Sequence, residues 1–273
     1  MFGSLVVILP TVHEGGSLVI RNDGKQWTFD SAKAVSAVEE PPHAAFIAFF
    51  SDVEHEVTPV LSGFRVTLTY NLYLRKKNQR GTMTEADAND AVTLVAGFEE
   101  TDDKILKALE ALLKNTSFLS SGGFLGFGLK HKYPFNQVST HLSDIKNRLK
   151  GPDAVLKRVC DSLSLHASVK ALYRDNEYSA LVDHFADFST LECESDDVVE
   201  HLRMYDNGLV VDPHVSGDPN EYAREQPLVW GRPLAKTNPF NSAYIHYGNE
   251  RTLAFTYGEI CLVATVPPAR ARV

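Results

Sequence analysis

A mixed α+β chain with a strand-rich N-terminal part is what this sequence predicts, on three observations. Short apolar or alternating runs, broken by Gly, Pro and Asn/Asp turns, fill the chain up to residue 74, as expected of a sandwich or barrel. Ile105, Leu106, Leu109, Leu112 and Leu113 then recur at helical spacing. The chain closes on β-like runs over 243–247 and 257–266.

Leu5 to Leu9 is a continuous apolar run, the pattern of a strand buried on both faces. Domains rarely begin inside their own core, so a preceding segment is expected upstream of Met1. The run is too short for the apolar region of a secretory signal and has no basic start. Thr11 to Ser17 contains Gly15-Gly16 and reads as a turn. Leu18–Arg21 and Gln26–Phe29 flank Asp23-Gly24, a hairpin signal. Glu39 to Pro42 reads as a loop, and Ala44–Phe50 as a further strand.

The basic stretch from Arg75 to Gly81 is the expected boundary, read as a solvated linker. Thr84 with Asp87 three residues on can open a helix. Gly123-Phe124-Leu125-Gly126-Phe127-Gly128 is glycine-rich but lacks Gly-Lys-Ser/Thr, so it is not read as a phosphate loop. Ala154–Leu163 is a predicted helix. Residues 166–173 and 178–188 alternate like strands, although the second run also fits a helix. Asp206-Asn207-Gly208 is a turn, and the proline-bearing stretch 213–239 reads mostly as loop.

Composition narrows the function classes. The 273 residues, 44% hydrophobic and 23% charged, suit one large or two smaller globular domains. A net charge of −8 argues against a partner bound by neutralising phosphates, so nucleic acid is not expected. No apolar run approaches the ~20 residues needed to cross a bilayer, so no membrane partner is expected. Cys160, Cys193 and Cys261 form no disulfide framework and no Cys-x-x-Cys pair. Such sparse usage fits a reducing compartment, and an intracellular location, cytoplasmic or nuclear, is expected.

The stretch from Asp52 to Tyr70 carries the chemistry. His55 ends one β-like run, a Pro/Ser/Gly turn follows, and Arg65 enters the next run ten residues on. His55, Val57, Arg65, Thr67 and Thr69 share parity, so an intact alternation directs them to one face. A buried histidine and a buried arginine close together repel unless an anion or a metal lies between them.

His55-x-Val57-x-Pro59-Val60-x-Ser62-Gly63-x-Arg65-Val66-x-Leu68-Thr69-Tyr70 resembles the distal half of the site in iron(II)/2-oxoglutarate-dependent dioxygenases of the prolyl-4-hydroxylase-like group, in particular a fungal branch. The resemblance implies a double-stranded β-helix (jelly-roll) core. It implies His55 as an iron ligand, Arg65 as the bidentate anchor of the distal 2-oxoglutarate carboxylate, and Thr67 as a hydroxyl helper in the cosubstrate site. Neutral imidazole suits iron(II), and a planar guanidinium matches a carboxylate with two parallel bonds. The implied cofactors are Fe(II) and 2-oxoglutarate, with ascorbate as accessory reductant. The implied reaction hydroxylates a C–H bond while 2-oxoglutarate is decarboxylated to succinate, on a protein or small-molecule substrate.

The resemblance also supplies what the chain lacks. The His-x-Asp ligand pair of the group would lie upstream of Met1, so the chain reads as N-terminally truncated relative to the group, with an impaired iron site. A lone histidine holds iron weakly. His13 and Glu14 occupy a loop position at the rim, where a surface or outer histidine is expected. Asp52 and Glu54 stand at odd offsets from His55 and face away from it on a regular strand. No residue is therefore assigned as catalytic. The expected organisation is a partial dioxygenase core over 1–74, a linker over 75–83 and an α+β extension over 84–273. The extension shares further landmarks with the fungal branch: Gly123-Phe124-Leu125-Gly126, His131-Lys132-Tyr133-Pro134, Leu149-Lys150-Gly151-x-Asp153 and Tyr247-Gly248-Asn249-Glu250. The competing expectation is a non-catalytic β-barrel scaffold that binds a partner protein.

Overall fold

A computed structural model describes residues 2–22, 24–35, 42–73, 97–174, 179–188, 198–211, 227–247 and 251–272. It is a strand-rich α+β chain with few helices, in two compact units, Met1–Asp90 and Ala91–Val273. The expected linker 75–83, the helix start at Thr84 and the loop at 39–41 lie outside the described residues.

In the first unit, β1 (Gly3–Ile8) is the middle strand between β5 (Ala45–Phe50) and β8 (Thr67–Leu72), all antiparallel. The register places Val6 opposite Ile47 and Thr69, and Ile8 opposite Ala45 and Thr67. That face carries a small core of Val6, Ile8 and Val35, with Phe29, Ala45, Ile47 and Phe49 packed against it. The other face of β1 is only half covered: Leu5 and Val7 are intermediate in exposure, and their neighbours Phe46, Leu68 and Tyr70 are exposed. The opening run is thus a core strand on one face rather than on both.

β3 (Leu18–Asn22) and β4 (Lys25–Phe29) form the expected hairpin, and β6 (Glu54–Val57) pairs with the other side of β3. The Thr11–Ser17 turn contains a short strand, β2 (His13–Gly15), which pairs with β7 (Val60–Gly63). One turn of helix, α1 (Ser31–Ala34), follows β4. Its N-cap is Asp30, whose carboxylate accepts from the Lys33 backbone N–H at 3.1 Å.

The second unit is built on a seven-stranded sheet. Its spine is β15 (Arg251–Val266), which pairs with β10 (His166–Arg174), β14 (Pro239–Tyr247) and β9 (Gly123–Gly128), all antiparallel. β11 (Ser179–Val182) and β12 (Leu209–Val211) extend one side, and β13 (Leu228–Arg232) joins β9 in parallel. Helices α2 (Gly97–Lys114), α3 (Leu142–Lys146), α4 (Gly151–Ser162) and α5 (Val198–Tyr205) belong to this unit. Leu109 of α2 and Val155, Leu156, Val159 and Cys160 of α4 join Phe127, Val169, Ile260 and Leu262 in one core. Phe124, Leu172, Cys261 and Val263 point the other way into a second, smaller core. Burial on both faces is why Ile260–Ala264 reads as an unbroken apolar run.

The stretch 123–128 is a fully buried strand, and the proline-bearing stretch contains β13 beside it. Glycine is required by close approach: a Cβ on Gly126 would lie 2.7 Å from the Trp230 ring, and one on Gly128 would lie 2.3 Å from the Pro233 carbonyl.

Cys160 and Cys261 are free and buried. Burial pushes the Cys160 thiol up to about 11 and the Cys261 thiol up to about 12, so neither is a nucleophile near neutrality. Both are expected to resist iodoacetamide in the folded protein at about pH 8 and to react fully on unfolding. Mass mapping of alkylated peptides checks this, and rapid native labelling of either would contradict it. Cys193 lies outside the described residues.

Candidate functional site

The parity expected of the motif is observed on its strands. Thr67 and Thr69 lie on the Val6/Ile8 face of their sheet. His55 stands opposite Ile20 and shares its face with Leu18 and Phe29 through the β3 register. Its ring packs on Phe49, with centroids 4.6 Å apart. Its Nδ1 lies 3.0 Å from the Val53 carbonyl, which can only accept. Nδ1 therefore carries the hydrogen, and Nε2 presents a lone pair. That is the tautomer a metal-ligating histidine adopts, with its second nitrogen held by a backbone carbonyl. The residue itself is exposed. Glu54 faces away from it, as expected, and with Glu56 takes the Arg21 guanidinium at 3.4 and 2.6 Å.

Arg65 lies between β7 and β8, outside any strand, and is half-buried. Its Nε donates to Ser31 Oγ at 3.3 Å, while Nη2 is buried and has no hydrogen-bond partner among the described residues. Burial pulls the guanidinium below its ordinary value, as expected of a cation short of a counter-charge. The chain makes room for it at Gly16, whose φ is +67°. A Cβ there would lie 2.6 Å from Arg65 Cδ and 3.4 Å from Nε. Gly16→Ala is expected to cost about 1–2 kcal/mol of stability, from the left-handed backbone. It should also displace the Arg65 stem and weaken anion binding. Thermal melting and anion titration check the two effects separately.

His13 is the correction in this region. It is not a rim or surface histidine but is buried, at 6% exposure. Its Nδ1 lies 2.8 Å from the Thr11 carbonyl and its Nε2 lies 3.1 Å from Ser31 Oγ. Ser31, fully buried, also donates to the Gly16 carbonyl at 2.9 Å. Sequence reasoning passed over Ser31; its available signal was Asp30, which caps α1 and makes Ser31 its first residue.

The site therefore divides. A buried guanidinium nitrogen without a partner fits a carboxylate, and the residues around Arg65 suit that ligand. Iron fits less well. His55 presents one suitable lone pair, but the described residues hold no group of three His, Cys, Asp or Glu side chains that could ligate a metal. Thr67 is half-buried on the inner face. Among the described residues no helix is long and apolar enough to cross a membrane.

A separate polar cluster ties the second unit together. Asp153, fully buried, accepts from the backbone N–H of Lys130 and His131, from Tyr133 Oη at 2.9 Å and from Arg232 Nη2. The Lys150 backbone N–H donates to Tyr133 Oη at 3.0 Å, and Asn238 bridges the backbone of Tyr133 and His131.

Comparison with models of known families, with curated proteins and with solved structures finds no significant match.

Proposed function

We propose that the first unit binds 2-oxoglutarate through Arg65, as part of a double-stranded β-helix core of the iron(II)/2-oxoglutarate-dependent dioxygenase group. The observation that carries this reading is the Arg65 Nη2 atom, buried without a partner. Leaving a donor so placed costs about 1–3 kcal/mol, and a carboxylate supplies the missing acceptor and the counter-charge together. Thr67, on the adjoining strand, offers a hydroxyl on the same inner face as the core. The ligand's other end would reach toward a metal held in part by His55 Nε2. A complete iron site needs further ligands from outside the described residues. Hydroxylase activity of this chain alone is accordingly low in this reading.

A second reading has one observation in its favour, the lack of a three-ligand group among the described residues. In it the unit is a non-catalytic scaffold that keeps the dicarboxylate site. Calorimetric titration of the full chain with 2-oxoglutarate tests the shared part. Saturable binding is expected, and its absence would sink both readings. Adding Fe(II) and oxygen then separates them: succinate formation favours the oxygenase, and binding without turnover favours the scaffold.

A further inference from the structure

We infer that His13, acting through Ser31, is a positioning residue for Arg65, and that a carboxylate bound at Arg65 is held more tightly when His13 carries a proton on both ring nitrogens. This rests on the 2-oxoglutarate reading above and adds a proton to it. The argument is a count of donors and acceptors. Ser31 has one hydroxyl hydrogen and two lone pairs. Three groups surround its Oγ: the Gly16 carbonyl at 2.9 Å, His13 Nε2 at 3.1 Å and Arg65 Nε at 3.3 Å. The Gly16 carbonyl can only accept and takes the hydrogen. Arg65 Nε can only donate and takes one lone pair. The last lone pair is satisfied only if His13 Nε2 also donates. His13 Nδ1 already carries a hydrogen, because it faces the Thr11 carbonyl at 2.8 Å. A neutral His13 therefore sets two lone pairs against each other, or pulls the hydroxyl away from Gly16.

The fully satisfied arrangement places an imidazolium and a guanidinium on one buried hydroxyl. Two like charges so placed disfavour each other unless an anion joins them. Arg65 Nη2 points out the vacant acceptor position. Among the described residues few other charges bear on His13. β7, which pairs with β2, has no titratable side chain. α1 brings Lys33 and its cap Asp30, both exposed, and the neighbouring Glu14 is exposed. Arg65, half-buried, is the charge that shares the Ser31 hydroxyl with it.

By linkage, a ligand that favours the doubly protonated ring is bound with proton uptake, and its affinity falls as pH rises through the histidine range. The test is calorimetric titration of the full chain with 2-oxoglutarate from about pH 6 to about pH 8.5, in two buffers of different ionisation enthalpy. Both ligand carboxylates and Arg65 keep their charge over this range. Wild-type protein is expected to bind at least about fivefold more weakly at the upper end, with a fractional proton taken up per ligand. Ser31→Ala and His13→Gln are expected to flatten that dependence. Should either variant fail to fold, the wild-type proton count still decides. Intact binding with no pH dependence and no proton uptake would overturn the inference and leave the Arg65 anchor standing. A pH dependence that persists in folded His13→Gln would also overturn it. No binding at any pH would remove the anchor and the inference together.

Discussion

Arg65→Lys is expected to weaken 2-oxoglutarate binding at least about tenfold, and Arg65→Met to abolish it, with neither variant losing stability. The guanidinium has two tasks that a single ammonium cannot share. Its Nε is engaged with Ser31 Oγ, and its buried Nη2 is free for a ligand. A planar fork does both at once, whereas lysine offers a compact charge on a flexible stem. Loss of a charge-assisted bond is worth about 1.5–3 kcal/mol, or roughly 10–100-fold in affinity. The stability half of the expectation is more diagnostic. A purely structural arginine should be missed when it is removed. An arginine that buries an unpartnered donor stores a cost that methionine relieves, so Arg65→Met should melt at or above the wild-type temperature. Calorimetric titration and thermal melting of the same preparations decide the matter. Wild-type affinity in Arg65→Lys, or a loss of more than about 2 kcal/mol in Arg65→Met, would mean that Arg65 holds the fold rather than a ligand.

The strands around the motif were legible because a period of two survives folding. Thr67 and Thr69 share the face their parity assigns, opposite Ile8 and Val6, and the two strands expected on either side of Asp23-Gly24 pair with each other. His13 was not legible. Local sequence shows it beside two glycines and a glutamate, a surface pattern, while its ring is hydrogen-bonded to Ser31, 18 positions away, which Arg65, 52 positions from His13, also reaches. Hydrogen bonds between distant side chains leave no periodic trace. β9 was obscured for a different reason. Its glycines carry no strand signal, but they are there because Trp230 and Pro233 approach the backbone too closely for any Cβ, and that neighbour relation exists only once β13 has paired. The short strand β2 and the one-turn helix α1 lie below the length at which periodicity can be counted. The landmarks 131–134 and 149–153 drew attention without a chemical role. The structure brings them together as parts of one buried hub.

That hub carries the largest stability effect expected of the chain. Asp153→Ala should destabilise the second unit by about 3–5 kcal/mol, the cost of removing one partner from a buried ion pair. The carboxylate terminates donors from four places: the backbone N–H groups of Lys130 and His131, Tyr133 Oη and Arg232 Nη2. Alanine removes the acceptor these donors share, and the half-buried Arg232 loses its counter-charge while its Nε keeps the Gly128 carbonyl. Asp153→Asn should be nearly as costly, because the amide turns a donor toward donors. Arg232→Met should cost less, about 1–3 kcal/mol, since the carboxylate retains three neutral donors. The ordering matters more than any single value: it separates a hub centred on the anion from a simple ion pair, in which removing either partner costs the same. Trp27 and Trp230 sit in different units, so a Trp27→Phe background lets fluorescence follow the second unit alone during urea unfolding. A loss below about 1 kcal/mol for Asp153→Ala, or equal losses for Asp153→Ala and Arg232→Met, would show that water or a neighbouring group takes over the carboxylate's role. The chain would then owe the convergence of these two segments to the apolar core beneath them.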